Sequence, residues 1–190
     1  MIDSAAFFSR ILDSTKGGFF KLWPTGVARS SRRYLPNTNI LETSFTTGTG
    51  SGFLLDFMPV HRYSSLPRNP LENTGFQGVV RILQCTQGRL DFEMECCPRF
   101  DYGTIVPYSS LSGPHTGIAR GDSDAVSVYC SAQLSVVNDG FQADGEILEG
   151  EKLYATVSNQ MSCSHSPEPL HSTELEKGLA DTSAFWEAWA

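Results

Sequence analysis

Pro98-Arg99-Phe100-Asp101-Tyr102-Gly103 sets a cation, an anion and two aromatic rings directly behind a stretch of alternating residues. A carboxylate between a guanidinium and a phenol has the composition of an acid or base with its charge partner, so chemistry is sought here first. Upstream, Asp91, Glu93 and Glu95 form a row of carboxylates that could exchange protons or hold a cation. Four histidines, His61, His115, His165 and His171, and five cysteines, Cys85, Cys96, Cys97, Cys130 and Cys163, supply further reactive groups.

The elements that must position these groups decide between the readings. From Arg89 to Cys96 apolar residues occupy every even position and charged ones every odd position, the period of a half-buried strand. The three carboxylates then share its wet face, where like charges two residues apart keep a strand solvated. Pro98 has no N–H and ends or edges the ladder. Arg99 and Asp101 fall on one side of the extended segment that follows, which predicts an ion pair that fixes the loop rather than two independent ligands. The histidines lack the spacing of metal ligands and read as surface or turn residues. Cys96 and Cys97 point to opposite faces of a strand and cannot chelate together. Four of the five cysteines lie in apolar strand contexts and read as small core residues in a reducing compartment. Cys163-Ser164-His165 is at most half a zinc site with no second ligand pair nearby. No metal and no cofactor is expected.

A second dense segment runs from Arg32-Arg33-Tyr34 through Pro36-Asn37 to Asp56-Phe57-Met58-Pro59. It reads as two strands joined by a Gly-rich hairpin turn, with a Pro-Asn turn in front. The run Gly48-Thr49-Gly50-Ser51-Gly52 meets only part of a dinucleotide fingerprint, since Phe53 follows and no helix pattern does. Strands are expected near 18–23, 28–35, 39–47, 51–58, 76–86, 89–97, 103–108, 115–120, 124–131, 132–137, 141–148 and 151–159, with a long loop over 61–73. Asn138-Asp139-Gly140 and Glu149-Gly150 mark hairpin turns. Asp3 and Ser4 can cap a short helix through Asp13, ended by Lys16-Gly17-Gly18. Thr173 with Glu176 forms a capping-box pattern, and Leu175, Leu179, Thr182, Trp186 and Trp189 share one stripe of the terminal helix that follows. The expected fold is all-β, an antiparallel β-sandwich with a short N-terminal helix and a C-terminal linker helix. Residues 1–160 form the sandwich, and 161–190 form a connector rich in Ser, Pro and His and the start of the linker helix.

The composition agrees. A chain of 190 residues, 40% hydrophobic, can bury one sizeable core. Its net charge of −7 opposes binding to nucleic acid or to an anionic membrane. No apolar run is long enough to span a bilayer, and residues 1–20 lack the basic and apolar regions of a signal peptide, which predicts a cytoplasmic setting.

Several motifs in one order carry a resemblance. Arg32 to Thr43, then Asp56-Phe57-Met58-Pro59, then Pro98 to Gly103, then Phe185-Trp186-Glu187-Ala188-Trp189 is similar to the N-terminal domain of bacterial and archaeal glycoside hydrolase family 15 proteins, the trehalase and glucoamylase-like group. The likeness takes in Ile2 to Asp13 and so spans nearly the whole chain. It implies a β-sandwich that precedes an (α/α)6 barrel holding a catalytic pair of glutamates, and that barrel is what this chain lacks. Inverting glycoside hydrolysis needs two carboxyls about 6.5–9.5 Å apart, whereas the acidic residues here lie mostly on solvated strand faces. The resemblance therefore implies a non-catalytic domain that supports the barrel of an enzyme cleaving α-glucosidic bonds, in trehalose or in malto- or isomalto-oligosaccharides. Candidates for contact with the barrel or its sugar are Arg32, Arg33, Tyr34, Arg99, Asp101, Tyr102, Trp186 and Trp189. The alternative is a stand-alone carbohydrate-binding module with Trp23, Tyr34, Tyr63, Tyr102 and Tyr108 as sugar platforms. The partners implied are the barrel of the same polypeptide and α-glucosides, with a second copy of the chain as another cover for an exposed interface; nucleic acid and membrane are not among them.

Overall fold

The structure, a computed structural model, describes residues 6–60, 77–122, 124–160 and 171–190. Alternating side chains make strands of most of them: β1 (Phe19–Pro24), β2 (Val27–Tyr34), β3 (Leu41–Thr47), β4 (Gly50–Phe57), β5 (Gly78–Cys97), β6 (Tyr108–Gly113), β7 (Thr116–Gly121), β8 (Asp124–Cys130), β9 (Ser135–Val137), β10 (Gly140–Leu148) and β11 (Lys152–Gln160). One helix, α1 (Ser172–Trp189), follows. No described helix is long and apolar enough to cross a membrane.

β5 is continuous where the sequence predicts two strands. Gly88, at φ +70°, supplies a left-handed backbone that lets the chain bend without stopping. Its first half pairs with β4 and β11, and its second half with β1 and β10. One strand thus serves two sheets. The large sheet runs β2-β3-β4-β5-β11-β8-β7-β6; the small one runs β1-β5-β10-β9, and every pairing is antiparallel. Between them lies a core that includes Phe45, Leu54, Leu83, Leu90, Met94, Val128 and Phe141. Each such side chain contributes about 1.5–3 kcal/mol by leaving water. The glycine run at 48–52 closes the β3–β4 hairpin and lets β4 approach β5. A Cβ on Gly52 would stand 2.1 Å from the Gln84 carbonyl oxygen.

Helix α1 adds a third layer on the outer face of the large sheet. Leu175 is fully buried there with Ile40, Leu55, Phe57, Val80 and Ile82, and Leu179 packs beside it. β4 and the start of β5 are therefore covered on both faces, which explains the apolar runs Phe53-Leu54-Leu55 and Val79-Val80 with Ile82-Leu83. The helix begins at Ser172, earlier than the Thr173 pattern predicts. Glu174 Oε2 accepts from the His171 N–H at 3.1 Å, so the closing pair is His171 with Glu174.

Three other expectations change. Residues 6–18 run through turns instead of an N-terminal helix. Asp13 Oδ1 accepts from the Thr15 N–H (2.8 Å), the Thr15 hydroxyl (2.7 Å) and the Lys16 N–H (2.9 Å). These donors hold the Asp13 carboxyl at about 2 and stabilise a turn in competition with a helix. The strand expected at 103–108 is displaced to Tyr108–Gly113, because Asp101, Tyr102 and Gly103 all take positive φ. The strand expected at 132–137 is reduced to Ser135–Val137. The loop over 61–73, the connector 161–170 and the N-terminal capping residues Asp3 and Ser4 lie outside the described residues. Cys85, Cys96 and Cys130 are buried and Cys97 half-buried, all as free thiols. Burial pushes their thiols up, that of Cys130 to about 11.

Candidate functional site

The two sheets differ in width, and the difference opens a cleft. β1 is an edge strand of the small sheet, and its Phe20-Lys21-Leu22-Trp23 segment forms one wall of a cleft of about 320 Å³ over β2–β5. The floor follows from register. Arg32, Thr43, Leu54 and Leu83 stand opposite one another across β2, β3, β4 and β5, and so do Tyr34, Leu41, Asp56 and Arg81. Residues directly opposite in a sheet share a face, so these rows face the cleft and Arg33 turns to the other side, where its Nε meets Glu42 Oε1 at 2.8 Å. One sequence motif is split by the pleat: Arg32 and Tyr34 go to the cleft side, Arg33 away from it.

Asp56 and Arg81 interrupt the apolar runs of β4 and β5 on the inner face. Arg81 Nε lies 2.9 Å from Asp56 Oδ1, close enough for an ion pair, yet neither atom has an aligned hydrogen bond. A further Arg81 N–H donates to the Phe20 carbonyl, and the guanidinium sits 4.3 Å over the Phe20 ring. This arginine fastens β1 to the large sheet. Burial pushes the Asp56 carboxyl up, against the opposing pull of the Arg81 and Arg32 charges. Arg32 stands 5.7 Å over the Trp23 ring, whose edge packs at 4.6 Å on Phe45. Among the described residues Arg32 makes no ion pair. The cleft thus presents two aromatic rings, aliphatic side chains, the Asp56 carboxylate with its partner Arg81, and the further cations Lys21 and Arg32.

The carboxylate row lies where its period places it, on the outer face of the small sheet. Asp91 stands opposite Glu146, Glu93 opposite Asp144 and Glu95 opposite Gln142. The charge is partly offset: Lys21 meets Glu93 at 3.1 Å, and Arg89 reaches Asp91 at 3.4 Å and Glu146 at 3.3 Å. Among the described residues no group of three or more His, Cys, Asp and Glu could hold a metal ion. Cys163 and His165, with His61 and Tyr63, lie outside the described residues. His115 Nδ1 lies 3.1 Å from the Ala132 carbonyl, as a turn residue would.

The hexapeptide at 98–103 does not contain the expected ion pair. The Arg99 guanidinium donates to the carbonyls of Pro98 (2.8 Å), Asn138 (3.2 Å) and Asp139 (3.5 Å), while Asp101 Oδ2 accepts from the Thr104 hydroxyl at 2.8 Å. Left-handed backbone at Asp101 (φ 48°) and Tyr102 (φ 57°) turns the loop over, so the extended geometry that would align the two charges is lost. The loop holds the N-terminal segment. Arg99 N–H donates to the Phe7 carbonyl at 3.1 Å and Tyr102 N–H to that of Ala6 at 3.0 Å. Phe7 packs at 6.3 Å on Phe100, which is buried. The Tyr102 ring remains 55% exposed.

Trp186 and Trp189 lie in the last turns of α1, their rings 5.7 Å apart. The expected stripe divides: Leu175 and Thr182 are buried on the sandwich, Trp186 is half-buried and Trp189 is 76% exposed. No described contact joins the cleft, the hexapeptide loop and the end of α1. The sequence reading missed Asp56 and Arg81 as partners. The available signal was a lone charge at matching depth in each of two apolar strands.

No protein-family model matches the chain. A trehalase of Mycolicibacterium smegmatis is 30% identical over 202 residues, covering 98% of this chain and 30% of that protein. A trehalase of Mycobacterium tuberculosis is 27% identical over 202 residues, covering 98% and 29%, and one of Thermoplasma volcanium is 26% identical over 194 residues, covering 99% and 29%. The similarity runs through nearly all of this chain, while the chain spans 29–30% of the length of these relatives.

Proposed function

We propose that the chain is the N-terminal β-sandwich domain of a family 15-type glycoside hydrolase, which packs on and supports a catalytic (α/α)6 barrel of the same polypeptide. The parent enzyme cleaves α-glucosidic bonds, with trehalose as its first candidate substrate. The observation that carries this reading is the near-complete alignment of the chain with less than a third of proteins named trehalase. The carboxylates favour it too. Among the described residues Asp91, Glu93 and Glu146 are held in ion pairs on the sheet face, and Asp56 is held by Arg81, an arrangement that suits structural charges better than an acid and base poised across a sugar. Exposed Tyr102 and Trp189 are the proposed contacts with the barrel.

The test compares two proteins: the 190-residue chain, and the joined protein that the proposal implies, in which a helical barrel follows it. The joined protein is expected to release glucose from trehalose and the chain alone to release none. Glucose release by the chain alone, abolished by Asp56→Asn, would overturn the proposal.

A further inference from the structure

The two ends of the large sheet are built differently. Among the described residues it ends at β2 on one side and at β6 on the other. β2 carries Arg29, Arg32 and Arg33, whereas from Tyr102 to Ala119, across all of β6 and most of β7, the sequence holds no Asp, Glu, Lys or Arg. We propose that β6 is an interface for a second copy of this chain, which pairs with it antiparallel about a twofold axis.

An edge strand leaves every other residue's N–H and C=O without a ladder partner. Tyr108 to Leu111 keep regular register with Arg120 to Gly117 on β7, and the irregularity falls after them, between Leu111 and Gly113. This stretch contains neither proline nor charge, two devices that commonly blunt an edge. Reversed, the same row of donors and acceptors is its own complement, and pairing centred on Ser110 sets Ser109 of each copy opposite Leu111 of the other.

The core is also left partly open at this edge. Leu111 lies opposite Gly117, and a Cβ on Gly117 would stand 2.2 Å from the Phe141 ring. Val136 lies opposite Phe141 itself. Leu111 and Val136 therefore share the inner faces of the two sheets beside buried Phe141, yet they are 43% and 41% exposed. Pairing about Ser110 brings the two copies of Leu111 within diagonal reach on that face and takes this apolar rim out of water. Charge favours a copy of the chain as the occupant. Elsewhere the net charge of −7 sets copies against one another, but β6 brings no charge of its own, and neither does the uncharged run from Ala125 to Asn138 that contains β9. β11, β8 and β7 separate β6 from β5, on which α1 packs, so the pairing leaves the end of α1 free for the domain role proposed above.

The experiment is sedimentation equilibrium of the 190-residue chain over a range of concentrations. A monomer–dimer equilibrium is expected with Kd of about 100 µM, as a small, transient interface supports. Leu111→Lys sets two like charges near the axis and is expected to weaken association about tenfold or more. Tyr34→Lys adds the same charge at a 63% exposed position on β2 and is expected to leave Kd unchanged. Thermal unfolding checks the fold of both variants. Amide shifts of the unsubstituted chain on dilution locate the contact without any substitution and are expected over Tyr108–Leu111 and Ser135–Val137. A monomer at about 1 mM chain, unchanged association in Leu111→Lys, an equal loss in Tyr34→Lys, or shifts centred on β2 or α1 would each overturn the interface. Glucose release by the joined protein tests the domain role separately, so either idea can fail alone.

Discussion

At the scale of residues, the Asp56–Arg81 pair dominates the interior electrostatics. Both side chains are about four-fifths buried, at 21% and 22% exposure. Removing one partner leaves a charge in a poorly solvated place, so Arg81→Leu is expected to cost about 3 kcal/mol in urea unfolding. Asp56→Leu combined with Arg81→Leu is expected to recover most of that loss, because two well-packed apolar side chains need no desolvation of charge. The pH dependence has a definite sign. Burial raises the folded-state value of Asp56 above 3.8, so the folded chain holds this proton more tightly than the unfolded one does. The contribution to stability is fully present below 3.8 and is lost as pH rises through the raised value. In unfolding measured against pH, Asp56→Asn is expected to remove that loss.

At the scale of elements, α1 is held by its first half. Leu175 is fully buried, and Glu176 Oε1 receives both Lys152 Nζ at 2.7 Å and the Tyr154 hydroxyl at 2.8 Å. Burial, followed by the Glu176 hydrogen bond and charge, raises the Tyr154 phenol, so it stays protonated and donating. Leu175→Ala is expected to cost about 3 kcal/mol and to release the helix from the sheet, seen as increased amide exchange over residues 172–182. Glu176→Gln should cost under about 1 kcal/mol, since the pair is one-third exposed and the amide oxygen still accepts from Tyr154. The hinge of this architecture is β5, legible in sequence as two good strands with a glycine between them. That one strand crosses from sheet to sheet was not legible, because the outcome depends on which neighbours each half finds.

At the scale of the whole molecule, the exposed aromatics mark proposed interface points. Trp189 at 76% and Tyr102 at 55% exposure stay largely in solvent, Trp189 meeting the Trp186 ring of its own helix. Trp189→Ala is expected to leave the melting temperature of the isolated chain within about 1 °C and to lower that of the joined protein by about 2–4 °C, the shift of roughly 1 kcal/mol in a large domain. Equal shifts in both proteins would mean that the ring packs on the sandwich instead. Among the described residues β2 ends the large sheet: from Ala28 to Tyr34 it is exposed throughout and carries three arginines, charges that discourage edge-to-edge pairing between copies.

The amino-acid sequence by itself determined the all-β class, most strand positions, the wet face of Asp91, Glu93 and Glu95, and the turns at Asn138-Asp139-Gly140 and Glu149-Gly150. These are local matters, written in a two-residue period and in the few residues that tolerate tight turns. Only the tertiary structure decided that Arg99 bonds to the 138–139 carbonyls rather than to Asp101, that Arg33 parts from Arg32 and Tyr34, and that Asp56 meets Arg81 beneath Trp23. Those outcomes depend on backbone twist at Asp101 and Tyr102 and on register across four strands. Both are set by packing between distant parts of the chain, which no local pattern records.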